Sequence, residues 1–425
     1  MNNIQKVAMA AMFAMSLSIL ASGQADFSLK KVPGSTPNSL TAINNSSQVV
    51  VNAGTPTSYD ISVWSRIDDL VDLGLTGVNS GGSAIDGLGD VVGAGDPGTG
   101  VLQAFIWRPG TGVQWLGSLG SGMSMASGVN DAGAVVGLSY TEADTQHAFL
   151  WTQAGGMQDL TPNLTSIGGA TAVAINSSNE VVGYYFPNGT YNPVGFTWTQ
   201  DGGWQDLGPA GTLALAVNDS GTVVGQSRNA KGYMHAFSWT QSGGMTDLGT
   251  LGGTVSSALG VNSKGWIVGT SLTTSKTTFL RAFLWTPSGG MKDLAAVAGL
   301  PKSQQPTSVQ VNDSGVIAVA TNTGISLLIP KMKAKLTSSP NPAKVGQPIT
   351  FTATFSSIAG PPPDGETVQF TLGGQSIGSG TLSNGVAQFT TSALAAGSYQ
   401  IAVSYAGDAN YLAVTSSSLK QVVNP

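Results

Sequence analysis

One phrase returns along most of this chain: a small apolar residue, Asn, a polar pair, Gly, then Val-Val-Gly. It stands as Val129-Asn130-Asp131-Ala132-Gly133-Ala134-Val135-Val136-Gly137 and again as Val217-Asn218-Asp219-Ser220-Gly221-Thr222-Val223-Val224-Gly225. The turn-opening residue falls at Asn44, Asp86, Asn130, Asn176, Asn218, Asn262 and Asn312, in steps of 42 to 50 residues. A tryptophan keeps the same period at Trp64, Trp107, Trp151, Trp198, Trp239 and Trp285, with Leu328 in the seventh place. Two independent markers in one period mean seven copies of one unit. No copy buries its apolar face alone, so neighbours must stack.

Each unit has room for four short strands. In unit five they read as Leu213–Val217, 222–226, 236–240 and 245–248, rich in β-branched and aromatic residues and bounded by turn signals. Asn-x-x-Gly closes the first hairpin, because Asn or Asp bonds back to the backbone and Gly takes the positive φ that ends the turn. Asn179 replaces that glycine in unit four, and Asn tolerates the same conformation. Ser47, in unit one, has no explanation of this kind. Gly-Gly pairs such as Gly243-Gly244 serve the last hairpin. Four strands in about 45 residues fit a propeller blade, so the fold class expected is all-β, a seven-bladed β-propeller over residues 26–331. Unit seven stops one strand short, and Phe27–Val32 lies where a fourth strand is missing. That N-terminal strand is expected to complete the last blade and remove a free sheet edge at the seam.

Composition sets limits. Only 9% of residues are charged, 41% are hydrophobic, there are 58 glycines, and the net charge is −5. A mildly acidic surface argues against a nucleic-acid partner. Lys6, the apolar run Val7–Leu20 and the small residues up to Ala25 read as a signal peptide over residues 1–25. Export to the cell surface or medium is expected, with no membrane span after cleavage. With no cysteine in the chain, stability must come from a large closed core rather than disulfides.

After Pro330 the tryptophans stop and threonine-rich alternation begins, as in Ile349-Thr350-Phe351-Thr352-Ala353-Thr354-Phe355. Period-two strands over about 90 residues suit an Ig-like β-sandwich spanning 332–425.

Two resemblances follow from these residues. His147-Ala148-Phe149-Leu150-Trp151, His235-Ala236-Phe237-Ser238-Trp239 and Gly243-Gly244-Met245-Thr246-Asp247-Leu248 resemble the HAF-type extracellular repeat of bacterial proteins. That resemblance implies an exported protein and brings no activity with it. Gly346-Gln347-Pro348-Ile349-Thr350-Phe351 and Tyr405-Ala406-Gly407-Asp408-Ala409-Asn410-Tyr411 resemble a bacterial Ig-like domain, a module that usually acts as a spacer or adhesive unit.

No catalytic residue, metal ligand or cofactor site stands out from the repeat. The only histidines, His147 and His235, occupy a slot held elsewhere by Asp60, Gln103, Val194 and Arg281, which reads as a blade edge facing water. Asp159, Asp206, Asp247 and Asp293 read as fasteners of an outer turn. The Asn-Asp-x-Gly turns lack the alternating carboxylates of a calcium loop. The most distinctive loop carries Tyr184, Tyr185, Phe186 and Tyr191, aromatics that either pack on one another within the loop or stack on sugar rings or anchor a surface protein. The expectation is a non-catalytic binding or adhesion-type protein for an extracellular ligand, the propeller as disc and the Ig-like module as spacer. Two alternatives stay open: a carbohydrate-active hydrolase or lyase, and a structural component of the envelope or biofilm matrix.

Overall fold

The computed structural model describes residues 26–36, 40–55, 58–68, 70–77, 80–120, 122–161, 167–274, 279–301 and 304–425. The signal peptide expected at 1–25 lies outside them. Among the described residues the fold is nearly all β, apart from a one-turn helix at Leu294–Ala298 capped by Asp293. Seven four-stranded antiparallel sheets follow one another among the described residues, then two sheets of a sandwich. Unit five shows the pattern, with strands Leu213–Val217, Val223–Arg228, Met234–Thr240 and Gly244–Gly249 in simple meander order. The last four-stranded sheet joins Pro306–Val311, Ile317–Thr321 and Gly324–Pro330 to Phe27–Lys31. Its register runs from Phe27 opposite Pro330 to Lys31 opposite Ser326.

The second strand of each sheet is apolar on both faces because sheets cover it on both sides. Val135 and Val136 are fully buried, and so are Val223 and Val224. Val136 and Leu150 pack on Ala172 and Phe196 of the next sheet, while Val135 and Phe149 pack back on Val92 and Ile106. The same contact joins first to last: Val49, Val51 and Trp64 share one cluster with Ala318, Leu327 and Ile329.

The first strand carries a β-bulge in every one of these sheets, at Ala126/Gly128 in unit three. A bulge bends its strand toward the neighbour. This accounts for the last glycine of Val-Val-Gly: a Cβ on Gly137 would fall on the carbonyl oxygen of Met125 and against the Phe149 ring. Gly137→Ala is therefore expected to lower stability by about 2–3 kcal/mol through overpacking. The midpoint of urea unfolding measures it, and an unchanged midpoint would mean that the bulge yields freely.

The turn asparagines do more than close their hairpins. Each Oδ1 accepts from the backbone N–H four residues on, as Asn218 does from Thr222 at 2.9 Å. Each Nδ2 reaches the next sheet. Asn44 donates to the carbonyl of Asp86 at 2.8 Å, Asn130 to Asn176 at 2.9 Å and Asn176 to Asn218 at 3.1 Å. Asn218 donates to Asn262 and Asn262 to Asn312, both at 2.9 Å, and Asn312 closes the circle on Asn44 at 3.1 Å. Only Asp86 has no amide to give. The sheets thus form a ring, tied at its inner rim by side chains that are nearly all buried.

The C-terminal domain pairs a sheet of Lys333–Ser339, Ile349–Ser356 and Val386–Thr391 with a second sheet centred on Gly397–Tyr405. Phe351, Phe370, Tyr405 and Val403 fill the space between. The domain does not extend away from the ring but turns back onto it. Asn410 donates to the Asn45 carbonyl at 2.9 Å and accepts from Asn312 Nδ2 at 3.1 Å and Ser47 Oγ at 2.6 Å. Arg66 donates to the Asp408 carbonyl at 2.7 Å, and Lys264 to that of Ala359 at 2.6 Å. Ser47 now has its reason. It holds the positive φ of 55° usually left to glycine, and its hydroxyl bridges the seam of the ring to the second domain.

Candidate binding face

Meander order decides which loops share a face. The first and third turns of every sheet lie at one end of the strands, and the loop between the second and third strands lies at the other. All the second-domain contacts named above fall at the first end, on turns of units one, six and seven. The opposite end carries the second loops, unencumbered by that domain.

On this open face three consecutive units present an aromatic just before their third strand. Tyr191 of unit four is 97% exposed, Tyr233 of unit five 47% and Phe279 of unit six 58%. They recur at one loop position on three adjoining units, so they lie on the same side of the ring and leave apolar surface in water there. Beside Tyr233, a cavity of about 350 Å³ opens at the outer edge of unit five. Phe237 and Met245 line its apolar side; Arg228, Asn229, His235 and Asp247 line the polar side.

The sequence-marked aromatics of unit four do not form one platform. Tyr184, Tyr185 and Phe186 belong to the strand Val181–Pro187 rather than to a loop, so alternation divides them between two faces. Tyr184 and Phe186 meet edge to face at 5.7 Å. Tyr185 packs on Trp204 at 5.6 Å and donates its hydroxyl to Asp206 at 3.2 Å. Burial first, then the Asp206 charge, holds the Tyr185 phenol above its usual range. Tyr191 alone stands in solvent. Tyr233 and Phe279 were not singled out in the sequence; their place directly before the third strand was the available signal.

The histidines are less exposed than a water-facing slot would make them. His147 Nδ1 lies 2.8 Å from Asp159, and His235 Nδ1 lies 2.9 Å from Asp247, so each pair ties the third strand to the fourth. His147 Nε2 is 3.3 Å from the Thr145 hydroxyl, which in turn meets Thr141 at 2.7 Å. Three of the four outer aspartates also fasten the turns that follow, Asp159 accepting from Thr161 N, Asp247 from Gly249 N and Asp293 from Ala295 N, whereas Asp206 accepts from the Tyr185 hydroxyl and Trp204 Nε1 instead. Among the described residues no three His, Asp or Glu side chains converge as a metal site, and no helix is long and apolar enough to cross a membrane.

At the other end, a cavity of about 250 Å³ occupies the middle of the ring, lined by Asn45, Asp86, Gly87, Asp131, Ser177 and Asp219 among others. Asp131 and Asp219 each accept a backbone N–H from the preceding unit, Gly87 at 2.7 Å and Ser177 at 2.9 Å. These carboxylates therefore stitch neighbouring turns together.

Residues 336–424 match the family of bacterial Ig-like domains (group 3), so the C-terminal part of the chain is such a domain. No curated protein matches the chain in sequence. Among solved structures, a streptogramin B lyase is 13% identical, over 71% of this chain and 97% of the lyase, with a TM-score of 0.42. The extracellular domain of a hybrid two-component system from B. thetaiotaomicron is 12% identical, over 94% of this chain and 58% of that one, at 0.42. TolB from Acinetobacter baumannii is 10% identical, over 71% and 96%, at 0.39.

Proposed function

We propose that this is an exported binding protein of the cell surface or medium, built as a seven-bladed propeller of HAF-type repeats that carries its Ig-like domain on one face. The ligand-binding face is the other one. The observation that carries this is the row of exposed aromatics, Tyr191, Tyr233 and Phe279, on three successive units at the end the Ig-like domain leaves open. With only 9% of residues charged, the chain has little with which to recognise a highly charged partner. Flat aromatic faces beside polar loops favour a neutral, ring-bearing ligand such as a glycan, or an apolar patch on a surface protein. The Ig-like domain then holds the disc at a set angle instead of spacing it on a free tether.

The test is binding of the full-length mature chain to an immobilised glycan panel and to a panel of purified surface proteins. Replacing Tyr191, Tyr233 or Phe279 with alanine is expected to weaken capture about 5-fold each, with stability nearly unchanged because these side chains face water. Capture that survives all three substitutions together would remove this face from consideration. A hydrolase or lyase reading has one observation in its favour, the His235–Asp247 pair at the unit-five cavity. It predicts turnover of a polysaccharide that His235→Ala abolishes.

A further inference from the structure

In the ring of turn residues, six members are Asn and donate an amide hydrogen to the carbonyl of the next unit. The second member is Asp86. Its Oδ1 does what the Asn Oδ1 atoms do, accepting from Leu88 N at 2.9 Å and Asp90 N at 2.8 Å. Its Oδ2 therefore takes the place of the donating amide, facing the junction with unit three, where the acceptor in every other unit is the next turn carbonyl. That oxygen is buried and has no hydrogen-bond partner, and the whole residue is 4% exposed. A carboxylate oxygen aimed at a carbonyl oxygen is repulsive, and burying it unpaired costs free energy. The same position with a hydrogen on Oδ2 repeats the geometry of the other six junctions.

We propose that Asp86 is a proton-operated lock of the ring: as the neutral acid it donates Oδ2–H to the carbonyl oxygen of Asn130, and on losing that proton to solvent it leaves the junction between units two and three untied. The charged groups around it fit this role. From its own sheet comes Asp90, paired with Arg108 at 3.0 Å. From the next unit comes Asp131, engaged by Gly87 N. Unit one offers only the uncharged Asn44, which donates to the Asp86 carbonyl, and Gln48, bonded to Asn44. Among the described residues no cation pairs with the Asp86 carboxyl, and Arg108 is held by Asp90.

Burial pushes the Asp86 carboxyl up to about 6, opposed by the N–H groups of Asp90 and Leu88 and assisted by the charges of Asp90 and Asp131. A folded-state value above the unfolded one means that stability from this group is full below about pH 4 and is lost as pH rises through about 6. Two pH units of difference correspond to roughly a 100-fold change in the folding equilibrium.

Asp86→Asn supplies the missing hydrogen at every pH. Unfolding midpoints in urea, taken from pH 4 to 7.5, are expected to fall with rising pH in the wild-type chain and to fall much less in the variant. The variant should be the more stable one at pH 7.5, by on the order of 100-fold in the equilibrium. Parallel profiles would overturn the proposal, and so would a variant less stable than wild type at pH 7.5, the result expected if a bound cation pairs the carboxylate. A ¹³C titration of aspartate carboxyls in the wild-type chain needs no variant. One aspartate with a midpoint near 6 agrees with the lock, and all midpoints below about 5 contradict it.

Discussion

Removal of residues 26–32 is expected to leave a chain that does not form a stable monomer. The strand Phe27–Lys31 supplies the outer edge of the last sheet, and Phe27 and Val32 are 2% and 3% exposed. It is anchored at both ends: Lys331 N donates to the Asp26 carbonyl at 2.8 Å, and Val32 N to that of Ile325 at 3.0 Å. Beneath it lies Gly324–Pro330, in which all seven residues are buried. Uncovering that strand would expose an apolar edge with unpaired backbone groups, a template for pairing with another chain. Phe27→Ala alone is expected to cost about 3–5 kcal/mol, a large share of the ~5–15 kcal/mol that holds a domain together. Gel filtration and circular dichroism report the outcome. A truncated chain that stays monomeric and melts where wild type does would show that the ring closes without this strand.

The second large effect belongs to Asn312. Its Nδ2 reaches the Asn44 carbonyl, Ser47 Oγ at 3.0 Å and Asn410 Oδ1, and its Oδ1 accepts from Val316 N at 2.9 Å. Truncation to alanine strips partners from several buried polar groups at once, each worth roughly 1–3 kcal/mol when orphaned. Asn312→Ala is expected to lose about 4 kcal/mol, against about 2 kcal/mol for Asn218→Ala, which leaves the second domain untouched. The two also differ in kind. Asn312→Ala should loosen the Ig-like domain, seen as faster proteolysis between residues 330 and 333 under native conditions, whereas Asn218→Ala should not. Equal losses and equal protease sensitivity would mean that the seam holds the second domain by other contacts.

Much of this architecture was legible because the repeat writes each element seven times. Asn-x-x-Gly marks a turn by local chemistry, and the structure places positive φ at Gly133, Asn179 and Gly221 as that chemistry requires. Strand bounds in unit five lie close to those read from alternation, since β-branched runs between glycines leave little room to slide. What stayed hidden was whatever depended on a partner far along the chain. Asn and Asp open a turn equally well, so turn chemistry alone does not explain six Asn in seven places. The amide hydrogen spent on the next unit does. Ser47 was opaque for the same reason, because its partners, Asn312 and Asn410, are 265 and 363 residues away. In unit four, the density of aromatics drew attention to Tyr184–Phe186, but a strand sends successive side chains to opposite faces, and three of the four aromatics pack within the protein. Tyr233 and Phe279 give no such signal in the sequence, because one aromatic per loop makes no local cluster; the ring makes the row.

In the proposed function the two ends of the ring do different work, and one comparison tests that division. Surface-plasmon binding of the mature chain to the best-captured glycan or surface protein would be measured for two variants. One carries Tyr191→Ala, Tyr233→Ala and Phe279→Ala on the open face; the other carries Leu88→Ala and Asp219→Asn on the face that holds the Ig-like domain. Loss of binding in the first variant alone is the predicted result. Loss in the second variant with the first unaffected would contradict it, and would move the binding site to the central cavity beside Asp86.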